Sequence, residues 1–365
     1  MTASDAPAPA LDLTADPVEI TRAICDVPSV SGDEATLADL IERALAPAAH
    51  LEVLRDGDAV VARTDLGRAR RVVIAGHIDT VPINRNLPTR FETIDGVEYL
   101  WGRGTVDMKA GVAVQLKLAL ELVAPAVDVT WMWYDHEEVA ADLNGLGRLA
   151  AHRPELFAGD FAILGEPSNG AVEGGCNGNV RVELRARGLR AHSARSWVGE
   201  NAIHRLAPAL ERLAAYEAQT VEVDGLAYRE GLNAVGVSGG VAGNVIPDEA
   251  TLAVNYRFAP SKTADEAIAH VRELFGEYEL TVVDRAEGAR PGLDAALAQE
   301  FVAAVGAEAK PKYGWTDVAR FSAMGIPAVN FGPGDPLKAH ADDERVPLHQ
   351  IRDCDRALRA WLNGD

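Results

Sequence analysis

The chain has 365 residues, 48% of them hydrophobic, and a formal net charge of −20. That length gives about two domains with ample core, and the acidity excludes nucleic acid and anionic membrane surfaces as partners, which leaves a small-molecule enzyme as the better fit. No run of about eighteen apolar residues could span a membrane. The N-terminal MTASDAPAPALDLTADP lacks the basic and apolar regions of a secretory signal, and Cys25, Cys176 and Cys354 form no CxxC pair. The expectation is a cytoplasmic protein with reduced thiols.

Residues 1–15, rich in Ala and Pro, read as a mobile lead-in. Helices are expected over 16–26 and 33–46, the second with Asp33 and Glu34 in its first turn. LEVL (51–54) and AVVAR (59–63) can pair as a hairpin through Asp56-Gly57, and RVVIAG (71–76) reads as a strand buried on both faces. MKAGVAVQLKLALELVA (108–124) suits a helix, VDVTWMWYD (127–135) a buried strand, GLGRLAAHRPEL (145–156) a helix and DFAILGE (160–166) another strand. Strands interleaved with helices argue an α/β fold on a mainly parallel sheet covered on both faces.

After Gly178 the pattern changes. NVRVELRARG (179–188) alternates polar and apolar residues, as a half-exposed antiparallel strand does. A helix over 200–218, the alternating runs LNAVGVSGG and EATLAVNYRFA, a helix over 263–276 and the strand ELTVVDRAEG (279–288) complete a β-α-β-β-α-β order. From 293 onward apolar strands and helices alternate again, so one domain is made from both chain ends (1–177 and 290–365) with a smaller α+β domain inserted at 178–289.

Acids and histidines stand where strands end: His77 and Asp79 in RVVIAGHIDTVP, Asp107 in WGRGTVDMKAG, Glu137 and Glu138 in WYDHEEVA, Glu166 in ILGEPSNG, and His340 in GDPLKAHADDE. In an open α/β sheet, sites form beyond the carboxyl ends of the strands. In extended chain His77 and Asp79 share one side, as a ligand with its orienting partner or as an incidental histidine beside a turn-capping acid. Asp107 could equally cap the helix that follows, and Glu137, Glu138 and His340 could be surface groups. Together, imidazoles and carboxylates without a thiolate suit Zn²⁺ or another borderline divalent ion in an open site. GRGTVDMKAG is no phosphate loop: it lacks GK[ST], and Asp107 stands where GxGxxG needs its third glycine. Gly102, Gly104 and Gly111 instead read as turns that let Asp107 reach inward.

The motifs GHIDTVP, WGRGTVDMKAG, DHEEV, LGEPSNG, RAHSA and GPGDPLKAHADDE resemble, in order and rough spacing over about 20–360, the M20 metallopeptidase and deacylase family. Within it, GEPSNG…GCNGNVRVELR and YGWTDVARFSAMGIPAVNFGPGDP look like the actinobacterial desuccinylases. The resemblance implies a di-zinc catalytic domain and an inserted ferredoxin-like lid that forms a homodimer. It implies that His77 and Glu166 hold one Zn²⁺, that Glu138 and His340 hold a second, and that Asp107 bridges them, with Co²⁺ as a possible substitute. Asp79 would orient His77 by accepting its other N–H, and Glu137 would be the general base. His192 in RAHSA would be the lid histidine that reaches the partner subunit's site. Asn244 and Arg257 would contact substrate, a planar Arg fork suiting a carboxylate, and Thr316 would stand where relatives carry Ser. The implied reaction is hydrolysis of N-succinyl-LL-2,6-diaminopimelate to succinate and LL-2,6-diaminopimelate, in lysine and cell-wall precursor synthesis, with an acetylornithine-type deacylase as the alternative. Loss of Glu137 or of a ligand would mark a non-catalytic binding protein on this fold, and none is lost. The chain departs from the family pattern at Ala110, His136, Thr316 and Cys176-Asn177.

Overall fold

The computed structural model describes residues 10–364. The chain forms two compact units. The first comprises the chain up to Gly174, Gly292–Lys310 and the chain from Arg320; the second comprises Gly175–Pro291 and Pro311–Ala319. Pro311–Ala319 thus lies with the second unit, where Trp315 Nε1 donates to Glu287 O (3.1 Å) and Cys176 Sγ to Thr316 O (3.7 Å).

The main sheet of the first unit runs in the order Glu52–Asp56, Ala59–Arg63, Asp128–Tyr134, Arg71–His77, Phe161–Leu164, Ala328–Asn330, Glu173–Gly174. Parallel pairing is confined to its centre, from Asp128–Tyr134 to Ala328–Asn330, and the flanking pairs are antiparallel. The reason is local: the Asp56↔Ala59 hairpin turns through Gly57 at φ 59°, and so short a connection allows only antiparallel neighbours. The central strands are continuous apolar runs because both faces are covered. Helix Lys109–Glu121 is buried nearly all round, whereas Leu348–Asn363 buries Leu348, Ile351, Cys354, Leu358 and Leu362 along one stripe.

Several expectations need correction. Leu13 is buried in the core and Lys117 Nζ donates to Ala15 O (2.9 Å), so residues 10–15 are ordered. The remainder of the expected mobile lead-in, residues 1–9, lies outside the described residues. The second helix starts at Ala35, leaving Glu34 before it. The helix expected over 200–218 is two, Ala202–Arg205 and Ala207–Ala214, with Pro208 in the first turn of the second, where a proline lacks no needed donor. The segment 145–156 divides likewise into helix Gly145–His152 and a 3-10 turn at Pro154–Phe157. The expected elements leave out a hairpin, Arg90–Ile94 with Val97–Trp101, whose turn signal is Asp95-Gly96, both left-handed (φ 51° and 80°).

The second unit has, among the described residues, a four-stranded antiparallel sheet in the order Gly231–Gly239, Glu249–Phe258, Gly178–Arg187, Glu279–Ala286. Val180, Val182, Leu184 and Ala186 point to its core, where helix Ala264–Phe275 packs, fixed at its start by a Thr263/Glu266 capping box. This unit has the expected β-α-β-β-α-β, ferredoxin-like arrangement, and the first unit is α/β. No described helix is long and apolar enough to cross a membrane.

Candidate metal centre

The register of the parallel strands builds the site. His77 pairs with Tyr134 and Ala75 with Leu164, so these strands end at one level. Their exits carry His77 and Asp79, Glu137 and Glu138, and Glu166. Asp107 arrives from the turn before helix Lys109–Glu121, and His340 from the loop after the 3-10 turn Pro336–Lys338.

Among the described residues, donor atoms gather within 4.8 Å in the sets His77–Asp107–Glu166, Asp107–Glu138–His340 and His77–Glu137–Glu138. His77 Nε2 lies 3.1 Å from Asp107 Oδ1 and 4.0 Å from Glu166 Oε1. His340 Nε2 lies 3.2 Å from Asp107 Oδ2 and 3.0 Å from Glu138 Oε1. A tetrahedral ion with bonds of about 2.0–2.1 Å spaces its ligands about 3.3 Å apart, and these separations bracket that value. Asp107 gives one oxygen to each histidine. The donor chemistry and spacing fit two divalent cations sharing Asp107.

The competing reading of Asp107 as a helix cap fails, because the N-cap position is Met108 and no side chain caps that helix. Glycine at 104 does turn the chain (φ 79°). Gly111 serves another purpose than a turn: it lies inside the helix, and a Cβ there would sit 2.1 Å from Gly165 O, so its absence lets the helix approach the strand that leads to Glu166.

Electrostatics follow from the geometry. Burial acts to lower the His77 pKa, but hydrogen bonds to Asp107 and Asp79 hold it well above the ordinary value. Burial acts to raise the Asp107 pKa, and the hydrogen bonds from His340 and His77 outweigh it, holding the carboxyl far below the usual range. Hydrogen bonds to Asp107 and Glu138 raise His340 to about 10. Without metal, the two imidazoles therefore carry protons where metal ions would otherwise supply the positive charge.

Asp79 does more than its motif suggested. The shorter contact of His77 Nδ1 is to the Asp79 backbone carbonyl (3.1 Å), with the carboxylate at 3.4 Å. The carboxylate instead accepts the amides of Glu137 (3.0 Å) and Glu138 (3.1 Å) and the Ser31 hydroxyl (2.6 Å). Burial opposes ionisation, yet His77, then the Ser31 hydroxyl and the Glu138 amide, bring its pKa down to about 2. Glu34, expected in the first turn of a helix, is buried and accepts from the Gly32 and His136 amides (2.9 and 3.2 Å). That also accounts for His136. It adopts a left-handed φ of 59° and its Nδ1 meets Asp135 (2.7 Å), which Arg148 grips through both Nη atoms (2.6 and 3.0 Å). Ser31 and Arg148 had no local sequence signal.

In the second unit, the bridge between Ala191–His192 and Val245–Ile246 puts His192 beside Asn244, whose carbonyl accepts the Ser193 amide (2.9 Å). His192 is exposed, and its Nδ1 accepts the Ala194 amide (3.0 Å), which leaves the proton on Nε2. Arg257 lies elsewhere in that unit, half-buried on Glu249–Phe258 opposite Asn179 and Gly231. Thr316 is buried in Pro311–Ala319.

Residues 73–364 match peptidase family M20/M25/M40. A Mycobacterium tuberculosis relative is 51% identical over 357 residues, 97% of this chain and 100% of its own. The Corynebacterium glutamicum succinyl-diaminopimelate desuccinylase is 50% identical over 366 residues, 97% of this chain and 98% of that one. Among solved structures, a Staphylococcus aureus tripeptidase matches with a TM-score of 0.78 at 21% identity, over 97% of this chain and 99% of that chain, a likeness of fold.

Proposed function

The chain belongs to peptidase family M20/M25/M40, and on that premise we propose that it is a di-metal amidohydrolase that cleaves N-succinyl-LL-2,6-diaminopimelate to succinate and LL-2,6-diaminopimelate. The observation that carries the chemistry is the sharing of Asp107 by two sets of N/O donors with Glu137 beside them. The substrate rests on the 50% identity to the Corynebacterium glutamicum desuccinylase along nearly the full length of both chains. Such a role belongs to lysine and cell-wall precursor synthesis in the cytoplasm.

In this reading His77, Asp107 and Glu166 hold one ion and Asp107, Glu138 and His340 the other. Donors of this kind suit Zn²⁺, with Co²⁺ as a substitute. When bound, the ions supply positive charge that polarises an amide carbonyl and acidifies water. The remaining work falls to the chain. Glu137 takes the proton of the attacking water and returns it to the departing amine. Consecutive side chains diverge, so Glu138 can face the cation while Glu137 faces the reacting atoms. The bond from His77 Nδ1–H to Asp79 O leaves the Nε2 lone pair free to ligate. His192, with its proton on Nε2, would donate to the developing oxyanion; Asn244, Arg257 and Thr316 would contact the substrate's polar groups. A homodimer formed through the second unit completes the proposal. It draws support from strand Gly231–Gly239, which is paired on one side only and exposes Val235 and Val237.

The test is hydrolysis of N-succinyl-LL-2,6-diaminopimelate by protein stripped with chelator and then reloaded. Activity should vanish and return with about two equivalents of Zn²⁺. Faster turnover of N-acetylornithine would overturn the substrate, and undiminished activity after complete stripping would overturn the chemistry.

A further inference from the structure

Arg103 and Glu344 form an ion pair at 2.7 Å with side chains only 4% and 0% exposed. A buried pair of this kind is poor material for stability, since desolvating both charges offsets most of their attraction. Its location suggests another purpose. Glu344 follows His340 by one short loop and uses its two oxygens differently. Oε2 takes Arg103, while Oε1 accepts the amides of Val106 (2.9 Å) and of Asp107 itself (3.1 Å). The Glu344 carbonyl accepts the Gly102 amide (3.0 Å), so both ends of the turn 102–107 are tied to this one residue. Arg103 reaches back from that turn, its Nη2 3.4 Å from His340 O and its Nη1 3.5 Å from Ala341 O. His340 needs such support, because it holds a left-handed φ of 62°.

We infer that the Arg103–Glu344 pair sets the spacing between Asp107 and His340, making both of them positioning residues for the ion that Asp107, Glu138 and His340 share. Neither touches the reacting atoms. The pair joins two loops more than 230 residues apart in sequence, and each loop brings one donor to that ion. His77 and Glu166 instead leave from strands whose places are set by sheet pairing. The inference rests on the two-ion reading of the site.

The experiment is calorimetric titration of metal-stripped protein with Co²⁺, for the parent, Arg103→Lys and Glu344→Gln, each also in a His340→Ala background. Arg103→Lys should weaken one of the two ions by about 10–100-fold, the size expected for a group that orients a ligand, and leave the other within a few-fold; Glu344→Gln, which also loosens the Asp107 that both ions share, should weaken the same ion at least as much. In the His340→Ala background Arg103→Lys should add nothing, since the ligand it positions is gone. Thermal unfolding of stripped Arg103→Lys should stay near the parent's. In Arg103→Lys, equal weakening of both ions, no weakening, or the same loss in the His340→Ala background would overturn the inference. If Glu344→Gln does not fold, Arg103→Lys, which keeps the charge and loses the fork, decides alone. A parent that takes up fewer than two ions overturns the two-ion reading instead.

Discussion

His77 and His340 face the same Asp107 carboxylate from two kinds of scaffold. His77 is the last residue of a strand flanked on both sides, and its side chain is 1% exposed; His340 is on a loop, with left-handed backbone and a side chain 52% exposed. The strand gives its histidine an orientation as a by-product of sheet pairing. The loop has to be built, and the contacts that build it are the buried carboxylate of Glu344 at its own end and the Arg103 guanidinium from the turn 102–107. The same ligand chemistry can therefore be robust on one side of a site and dependent on a few contacts on the other.

The largest expected effect lies between the two halves. Glu137→Gln should lower kcat by roughly 10²–10⁴-fold, the usual worth of a general base, while metal analysis still finds both ions; near-normal turnover would remove Glu137 from its role. Next comes the histidine contrast itself. His77→Ala leaves buried carboxylates without their partner and should destabilise the stripped protein by about 3–5 kcal/mol, whereas His340→Ala, whose half-exposed pairs are screened by solvent, should lose an ion with a smaller loss of Tm in the stripped protein. Equal Tm losses would dissolve the comparison. Asp79→Ala comes after these, with metal affinity down about 10–100-fold and kcat falling as well, because the same carboxylate holds the Glu137 amide. Loss of affinity alone would confine Asp79 to orienting His77.

The smallest effect is in pH. The His340 pKa is raised to about 10 in the stripped protein, against about 6.5 unfolded. Its contribution to stability is thus complete below about 6.5 and lost as pH rises through about 10. Asp79 has the opposite sign: lowered to about 2, it stabilises above its unfolded value near 3.9 and stops doing so as pH falls through about 2. Stripped protein should accordingly melt at lower temperature at pH 10 than at pH 7. Zn²⁺ uptake near neutrality should release protons, since ligating imidazoles must be neutral. Calorimetry in buffers of different ionisation enthalpy should find less release in His340→Ala, and unchanged release would separate the proton from that histidine.

Sequence was most informative where local pattern and chemistry coincide. RVVIAG announces a buried strand, and HID at its end has no folding purpose, so both the strand and the candidate ligand are readable together. The ferredoxin-like unit was legible for the same reason, its alternation being a local property. What escaped was pairing at a distance. Glu34 reads as an ordinary first-turn acid until His136, 102 residues on, turns out to donate its amide to it. Glu344 is the last of three acids in ADDE and looks like solvated surface, although it is fully buried. Gly111 reads as a turn because only the folded structure brings Gly165 against it.

The hold of Asp79 on two successive amides has a kinetic corollary. Glu137 and Glu138 cannot exchange their backbone protons independently, because the motion that frees one from the shared carboxylate also frees the other. In deuterated solvent both amides should report a single opening rate, slow in the parent and accelerated together by Asp79→Ala, so base and ligand behave as one rigid part rather than two adjustable ones.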